Sequence, residues 1–183
     1  GSYAFIERLV YGRTLERARF AHVPAVVDSR DVLIVGEGDG RFLERLIQVL
    51  RPVSIDCVEP SGSMIARSFK RIGAVDCMAR IRFHHRPIDE VELRAEGYDL
   101  IVTNFVLDMF RGKELESTLS ALNRAARPNA SWIVSDFQIP SGQLHGLWAR
   151  PLLWIMYRFF RFTTGLRTAR LESPRPVLKS LSW

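Results

Sequence analysis

Residues 36–40, Gly-Glu-Gly-Asp-Gly, set three glycines at alternate positions, with Glu37 inside the run. Glycine lacks a Cβ and reaches positive φ at little cost, so a ligand can lie directly against such a turn. The four residues before it, Val32 to Val35, are apolar and mostly β-branched, which reads as a strand buried on both faces. After it, Phe42, Leu43, Leu46, Ile47 and Leu50 recur at helical spacing among Arg41, Glu44, Arg45 and Gln48. The unpaired N–H groups at the start of that helix are expected to face an anionic end of the ligand. Glu59 follows 19 residues after Gly40, at the end of a second apolar run, Val53 to Val58. A carboxylate there offers two acceptor oxygens, which suits the vicinal hydroxyls of a ribose. Capping the next helix is the other use open to it.

The elements that would hold these groups follow in order. Residues 3–21 read as an amphipathic helix with Phe5, Leu9, Tyr11, Leu15 and Phe20 as its apolar positions, and Pro24 closes it or the next short element. Residues 63–72 form a second amphipathic helix, with Met64, Ile65, Phe69 and Ile72 apolar and Arg67, Lys70 and Arg71 toward solvent. Residues 81–84 alternate as a third strand, and adjacent His84 and His85 must point to opposite faces, at least one of them structural. Tyr98 to Phe105 is a fourth strand and its exit. Asp108 follows, either as a general base or substrate contact, or as a cap at a helix start. A helix over 113–126, a turn at Arg127–Ala130 in which Asn129 tolerates the left-handed region, and a fifth strand over 131–137 complete the pattern.

A dinucleotide site would show Gly-x-Gly-x-x-Gly. The spacing Gly36-x-Gly38-x-Gly40 instead resembles motif I of the class I S-adenosylmethionine-dependent methyltransferases. Glu59-Pro60-Ser61 with Ser63-Met64 resembles the segment after that motif, and Tyr98-Asp99 opening a strand that ends at Asn104-Phe105 resembles motif IV. The likeness covers roughly residues 10–140 and extends in general character to small-molecule enzymes of the ubiquinone and menaquinone methyltransferase kind. It implies a Rossmann-like α/β fold, a three-layer αβα sandwich with parallel strand order 3-2-1-4-5. It implies S-adenosylmethionine as cofactor, held by Gly36, Glu37, Gly38 and Gly40, by Glu59, Pro60 and Met64, and by Asn104 and Phe105 at the methionine end. Tyr11 of the N-terminal helix is a further contact on the same ground. The family's adenine acid has no counterpart at Pro87, so Pro87 and Ile88 read the base through the backbone, or Asp89 substitutes. The sequence Asn-Phe-Val-Leu at 104–107 lacks the Pro-Pro-aromatic pattern of enzymes that methylate nucleobase amines, which counts against nucleic acid.

Length and composition set the bounds. A chain of 183 residues, 47% hydrophobic and 25% charged, is expected to form one globular domain over 1–183, with a helical cap at 3–30 and a lid-like helical segment at 141–175. Cys57 and Cys77 have neither disulfide nor metal spacing and read as buried thiols in a cytoplasmic protein; no metal site is expected. A net charge of +6 allows an anionic partner without requiring one. Trp148 to Phe162 interleaves six aromatics with Arg150, Arg158 and Arg161, which suits a water-excluding substrate lid or contact with a membrane surface. Gly1-Ser2 without an initiator Met is read as a cloning remnant, Leu178 to Trp183 as the approach to a sixth strand, and the family's closing antiparallel hairpin as missing. An open fifth strand invites pairing with a second copy. The resemblance thus implies methyl transfer to a small apolar or aromatic acceptor. A lipid-headgroup methyltransferase docked on a membrane and a non-catalytic cofactor-binding module are the alternatives.

Overall fold

Five strands pair into one sheet, the central ones rich in β-branched and aliphatic residues. The computed structural model describes residues 20–50, 53–73, 75, 79–135, 174–181 and 183. Its strands are β1 (Asp31–Val35), β2 (Ser54–Val58), β3 (Arg80–His84), β4 (Tyr98–Asn104) and β5 (Ala126–Ser135). They lie in the order β3-β2-β1-β4-β5, and all four pairings are parallel. This is the order that the resemblance implies. The order reverses at β1, so the loops leaving β1 and β4 diverge and open a crevice at their C-terminal ends.

Helices α1 (Arg41–Val49), α2 (Gly62–Ile72), α3 (Gly112–Ala125) and α4 (Arg175–Ser180) cover the sheet. On one face Val32, Ile34, Ile55, Cys57, Leu100 and Val102 pack against Phe42, Leu43, Leu46 and Ile47 of α1. On the other, Leu33, Val35, Val58 and Ile101 meet Leu122 and Ala125 of α3. β1 is therefore apolar on both sides, which explains its unbroken run of aliphatic residues. Phe20 stacks on Phe42 with centroids 6.1 Å apart. Tyr11, Cys77, residues 136–137 and nearly all of the lid-like segment lie outside the described residues.

Three expectations about elements change. Pro24 stands in the first turn of a 3-10 helix, Val23–Val26, and so opens an element instead of closing one. Arg127–Ala130 is no free turn: it lies within β5, where the ladder jumps from Ala126 opposite Tyr98 to Ser131 opposite Leu100. Asn129 takes φ 62° in this excursion, and Arg127 pins it through ion pairs to Asp31 at 2.9 Å and Asp99 at 3.7 Å. The C-terminal stretch forms α4 where a strand was expected. Pro176 sits in its first turn, and Leu178 joins Leu115 and Leu119 of α3 in one apolar cluster, a helical spacing that the short segment hid.

The crossover from β3 to β4 holds only a 3-10 turn, Ile88–Glu90. Beneath it a carboxylate, Asp56, sits in the middle of β2, buried. Tyr98 Oη donates to Asp56 Oδ2 at 2.9 Å and His84 Nε2 lies 3.0 Å from Oδ1. Arg94 approaches Oδ2 at 3.5 Å and lies over the Tyr98 ring, 4.5 Å from its centroid. Burial pushes the Asp56 carboxyl up, but the bonds from His84 and Tyr98 and the charges of His84 and Arg82 outweigh it, and the group lies below the ordinary carboxylate value. Its contribution to stability is thus present above the unfolded-state pKa and is lost as pH falls through the folded one. Tyr98→Phe removes a donor to a buried carboxylate. The variant is expected to lose about 1–2 kcal/mol in urea unfolding at neutral pH, and its acid unfolding, followed by circular dichroism, should begin at higher pH than that of the wild type.

Candidate functional site

The glycine turn leaves β1 at the sheet's crevice. A Cβ on Gly36 would come within 2.8 Å of Val106, and one on Gly40 would stand 2.7 Å from the Ser68 Cα. Those two glycines are required by the protein's own packing. Gly38, also at positive φ, is different: a Cβ there meets nothing within 4 Å among the described residues. Among the described residues the space above the middle of the turn is open, and a ligand can lie against the backbone there.

The turn is held from three sides. Gly36 N–H donates to Val58 C=O at 2.9 Å. Gly38 N–H donates to Glu59 Oε2, also at 2.9 Å, and Ser61 N–H donates to Glu59 Oε1 at 2.9 Å. Glu59 is 7% exposed and so does more than cap α2: it ties the glycine turn to that helix's start. A carboxylate accepts about four hydrogen bonds, so two backbone donors leave acceptor capacity on both oxygens for a diol. Burial raises the Glu59 carboxyl above its ordinary value, opposed by the Ser61 and Gly38 N–H groups and by the charge of His85. Two holders of the turn escaped the sequence reading. Ser68 Oγ donates to Gly38 C=O at 3.0 Å, and Arg71 Nε donates to Asp39 C=O at 3.1 Å. Arg71, expected to face solvent, also pairs with Asp39 and Glu44. A small residue at 68, in a helix facing a glycine loop, was the only available signal.

The start of α1 does not wait for an anion. Glu37 folds inward, buried, and its Oε1 accepts the Leu43 N–H at 3.0 Å. The acid within the glycine run supplies negative charge at one of the N–H groups of this helix start, where the helix dipole favours it.

At the exit of β4, register sets Val35 beside Val58 and Thr103, so Glu59 and Asn104 flank Gly36 at three neighbouring strand ends. Asn104 is 8% exposed, and among the described residues neither its Nδ2 nor its Oδ1 finds a hydrogen-bond partner. Buried amides without partners are rare in folded proteins and mark a place for a ligand or ordered water. Phe105 follows at φ 56°, an uncommon conformation for an aromatic residue. Asp108, 3% exposed, lies within a 3-10 turn, Leu107–Met109. Arg111 stands at the N-cap position of α3, three residues further on. Pro60 and Pro87 are exposed and Met64 half-buried at the rim, whereas Ile88 is buried in the core below α3. Asp89 is exposed in the 3-10 turn. Cys57 lies fully buried under the site, its thiol pushed well up by burial and by the negative charges of Glu37, Asp56 and Glu59.

A parallel sheet of this order with a ligand platform after β1, an acid after β2 and an amide after β4 defines a Rossmann-like cofactor-binding domain. A family model described as a methyltransferase domain matches residues 33–131, more than half of the chain. The chain belongs to the methyltransferase-domain family, and its fold is that of the class I S-adenosylmethionine-dependent methyltransferases. No curated protein matches it. Among solved structures it is similar to the N-methyltransferase NodS of Bradyrhizobium japonicum in complex with S-adenosyl-L-homocysteine. The TM-score is 0.55 at 18% identity, over 65% of this chain and 60% of that one. It is also similar to the YcgJ protein of Bacillus subtilis, with TM-score 0.65, 11% identity, and 91% and 68% of the two chains covered. A third is phosphoethanolamine N-methyltransferase 1 of Haemonchus contortus in complex with phosphoethanolamine and S-adenosylhomocysteine. Here the TM-score is 0.59 at 18% identity, over 89% of this chain and 31% of that one. At these identities the likeness is one of fold. The chain spans about half to three-fifths of the first structures it matches.

The glycines can be told apart by stability. Gly38→Ala meets only the strain of positive φ and should cost about 1–2 kcal/mol in urea unfolding. Gly36→Ala adds a steric clash with Val106 and should cost about 3 kcal/mol or more. Equal losses would show that the room above Gly38 is not open.

Proposed function

We propose that this protein is an S-adenosylmethionine-dependent methyltransferase acting on a small acceptor of apolar or aromatic character. The observation that carries the reading is the open room above Gly38, flanked at neighbouring strand ends by the Glu59 carboxylate and the unpartnered Asn104 amide. These groups fit the cofactor. Glu59 has acceptor capacity for the ribose, the glycine turn gives close backbone approach, and Asn104 has donors and an acceptor for the polar methionine end. When bound, the cofactor supplies an electrophilic sulfonium methyl group.

The chain's own work is positioning. Ser68, Arg71 and Glu59 fix the turn, so the ligand surface is formed before binding and little ordering remains to be done on association. Asp108, one short turn beyond Asn104, is the proposed acceptor of a proton from the substrate; water exclusion by an aromatic lid over 148–162 would favour that transfer. The apolar acceptor rests on the composition of that segment, which lies outside the described residues. Among the described residues no helix is long and apolar enough to cross a membrane. The headgroup-directed alternative rests on the same segment.

Calorimetric titration with S-adenosylhomocysteine tests the assignment. The wild type should bind, Gly38→Arg should abolish binding by filling the open room, and Glu59→Gln should weaken it about 100-fold, as loss of charge-assisted bonds to two hydroxyls requires. A wild type that fails to bind overturns the proposal. Asn104→Ala makes a sharper demand. Removing an unsatisfied buried amide should leave urea stability unchanged or slightly raised, while affinity falls about tenfold; a loss of stability with affinity intact would place Asn104 in the fold alone.

A further inference from the structure

Among the described residues β3 closes one end of the sheet, with β2 as its only neighbour. Arg80 N–H donates to Val53 C=O at 2.8 Å, and His84 C=O accepts the Glu59 N–H at 3.1 Å. Arg80, Arg82 and His84 therefore turn their backbone groups toward β2, and by the alternation of a parallel ladder those of Ile81 and Phe83 point outward. The side chains divide by face. Phe83 meets Phe69 of α2, ring centroids 4.7 Å apart, while Arg82 lies on the opposite face, 3.7 Å from Asp56. Phe69 is 56% exposed, more than any other large apolar side chain among the described residues. Arg80 and Arg82 are exposed too. Among the described residues Arg80 has no ion pair, and the carboxylate near Arg82, that of Asp56, also faces Arg94 and His84. Asp89 and Glu90 lie in the 3-10 turn past the strand's end.

We propose that the outer edge of β3 is a docking site for an extended segment of another protein in which acidic and apolar residues alternate. Such a segment adds a strand to the sheet. Its backbone pairs with the outward groups of Ile81 and Phe83, its apolar side chains pack beside Phe83 and Phe69, and its acids face Arg80 and Arg82. The charge selects this occupant over a second copy. In an antiparallel pairing of two copies centred on β3, Arg82 would lie directly opposite Arg82, and like charges opposed across strands are destabilising. Charge on an edge strand also guards against aggregation. An exposed aromatic at its flank adds nothing to a guard and gives a partner an anchor.

The probe is a fluorescein-labelled peptide of repeated Glu-Val dipeptides, with its Lys-Val counterpart as control, followed by fluorescence anisotropy. The Glu-Val peptide should bind and the Lys-Val peptide should not. Arg80→Glu should raise Kd about tenfold, and Phe69→Ala about fivefold. Both change exposed side chains, so both should keep the wild-type urea midpoint. Arg82→Gln, which places no second carboxylate beside Asp56, should also weaken binding. At saturation the Ile81 and Phe83 amides should exchange their hydrogens about tenfold more slowly, the mark of an added strand. The proposal is overturned if the Glu-Val peptide fails to bind, if both peptides bind equally, or if binding leaves those two amides exchanging as before. A wild type that sediments as a dimer, with the dimer lost in Phe69→Ala, gives the edge to a second copy and overturns it as well.

Discussion

The site depends on one bridging carboxylate. Glu59 accepts the Gly38 N–H with one oxygen and the Ser61 N–H with the other. A turn with three residues at positive φ has few internal bonds of its own, and a free loop of that kind would sample many conformations. The bridge joins it to α2, and α2 returns two further bonds through Ser68 and Arg71. One helix is therefore tied both to the Glu59 carboxylate and to the backbone of the glycine turn. A change in the position of α2 must move both together.

Around that link the charges are handled locally. Glu37 sits on the first turn of α1, Asp56 on Tyr98 and His84, and Asp99 accepts the Arg30 and Asp31 N–H groups while pairing with Arg127. These three acids are matched by donors from other elements, which lowers the cost of taking charge out of water. Asn104 is buried too, and among the described residues its amide has no such partner.

The central strands and the turn were legible in the sequence because their signals are local, and the strand order followed from the family resemblance that they carry. Four aliphatic residues followed by alternating glycines leave little choice, and an acid at a fixed distance needs only a count along the chain. What escaped depends on contacts between distant segments. Arg71 looks like any basic residue on a helix until Asp39 and Glu44 arrive beside it. Arg127–Ala130 has turn residues, yet Arg127 ties it to aspartates on β1 and β4. Asp56 gave no sign within an apolar run, since its partners lie 28 and 42 positions away. The last residues misled for a different reason: six residues are too few to separate helical from strand spacing.

Cys57 shows how far the site's negative charge reaches. A thiol surrounded by three acids and shielded from solvent is held in its protonated, unreactive form. Oxidants and alkylating reagents need both the thiolate and a path to it, and the folded centre of the sheet provides neither. Covalent modification of this sulfur therefore reports opening of the sheet itself, which makes Cys57 an internal clock for how often the protein's most deeply packed layer comes apart.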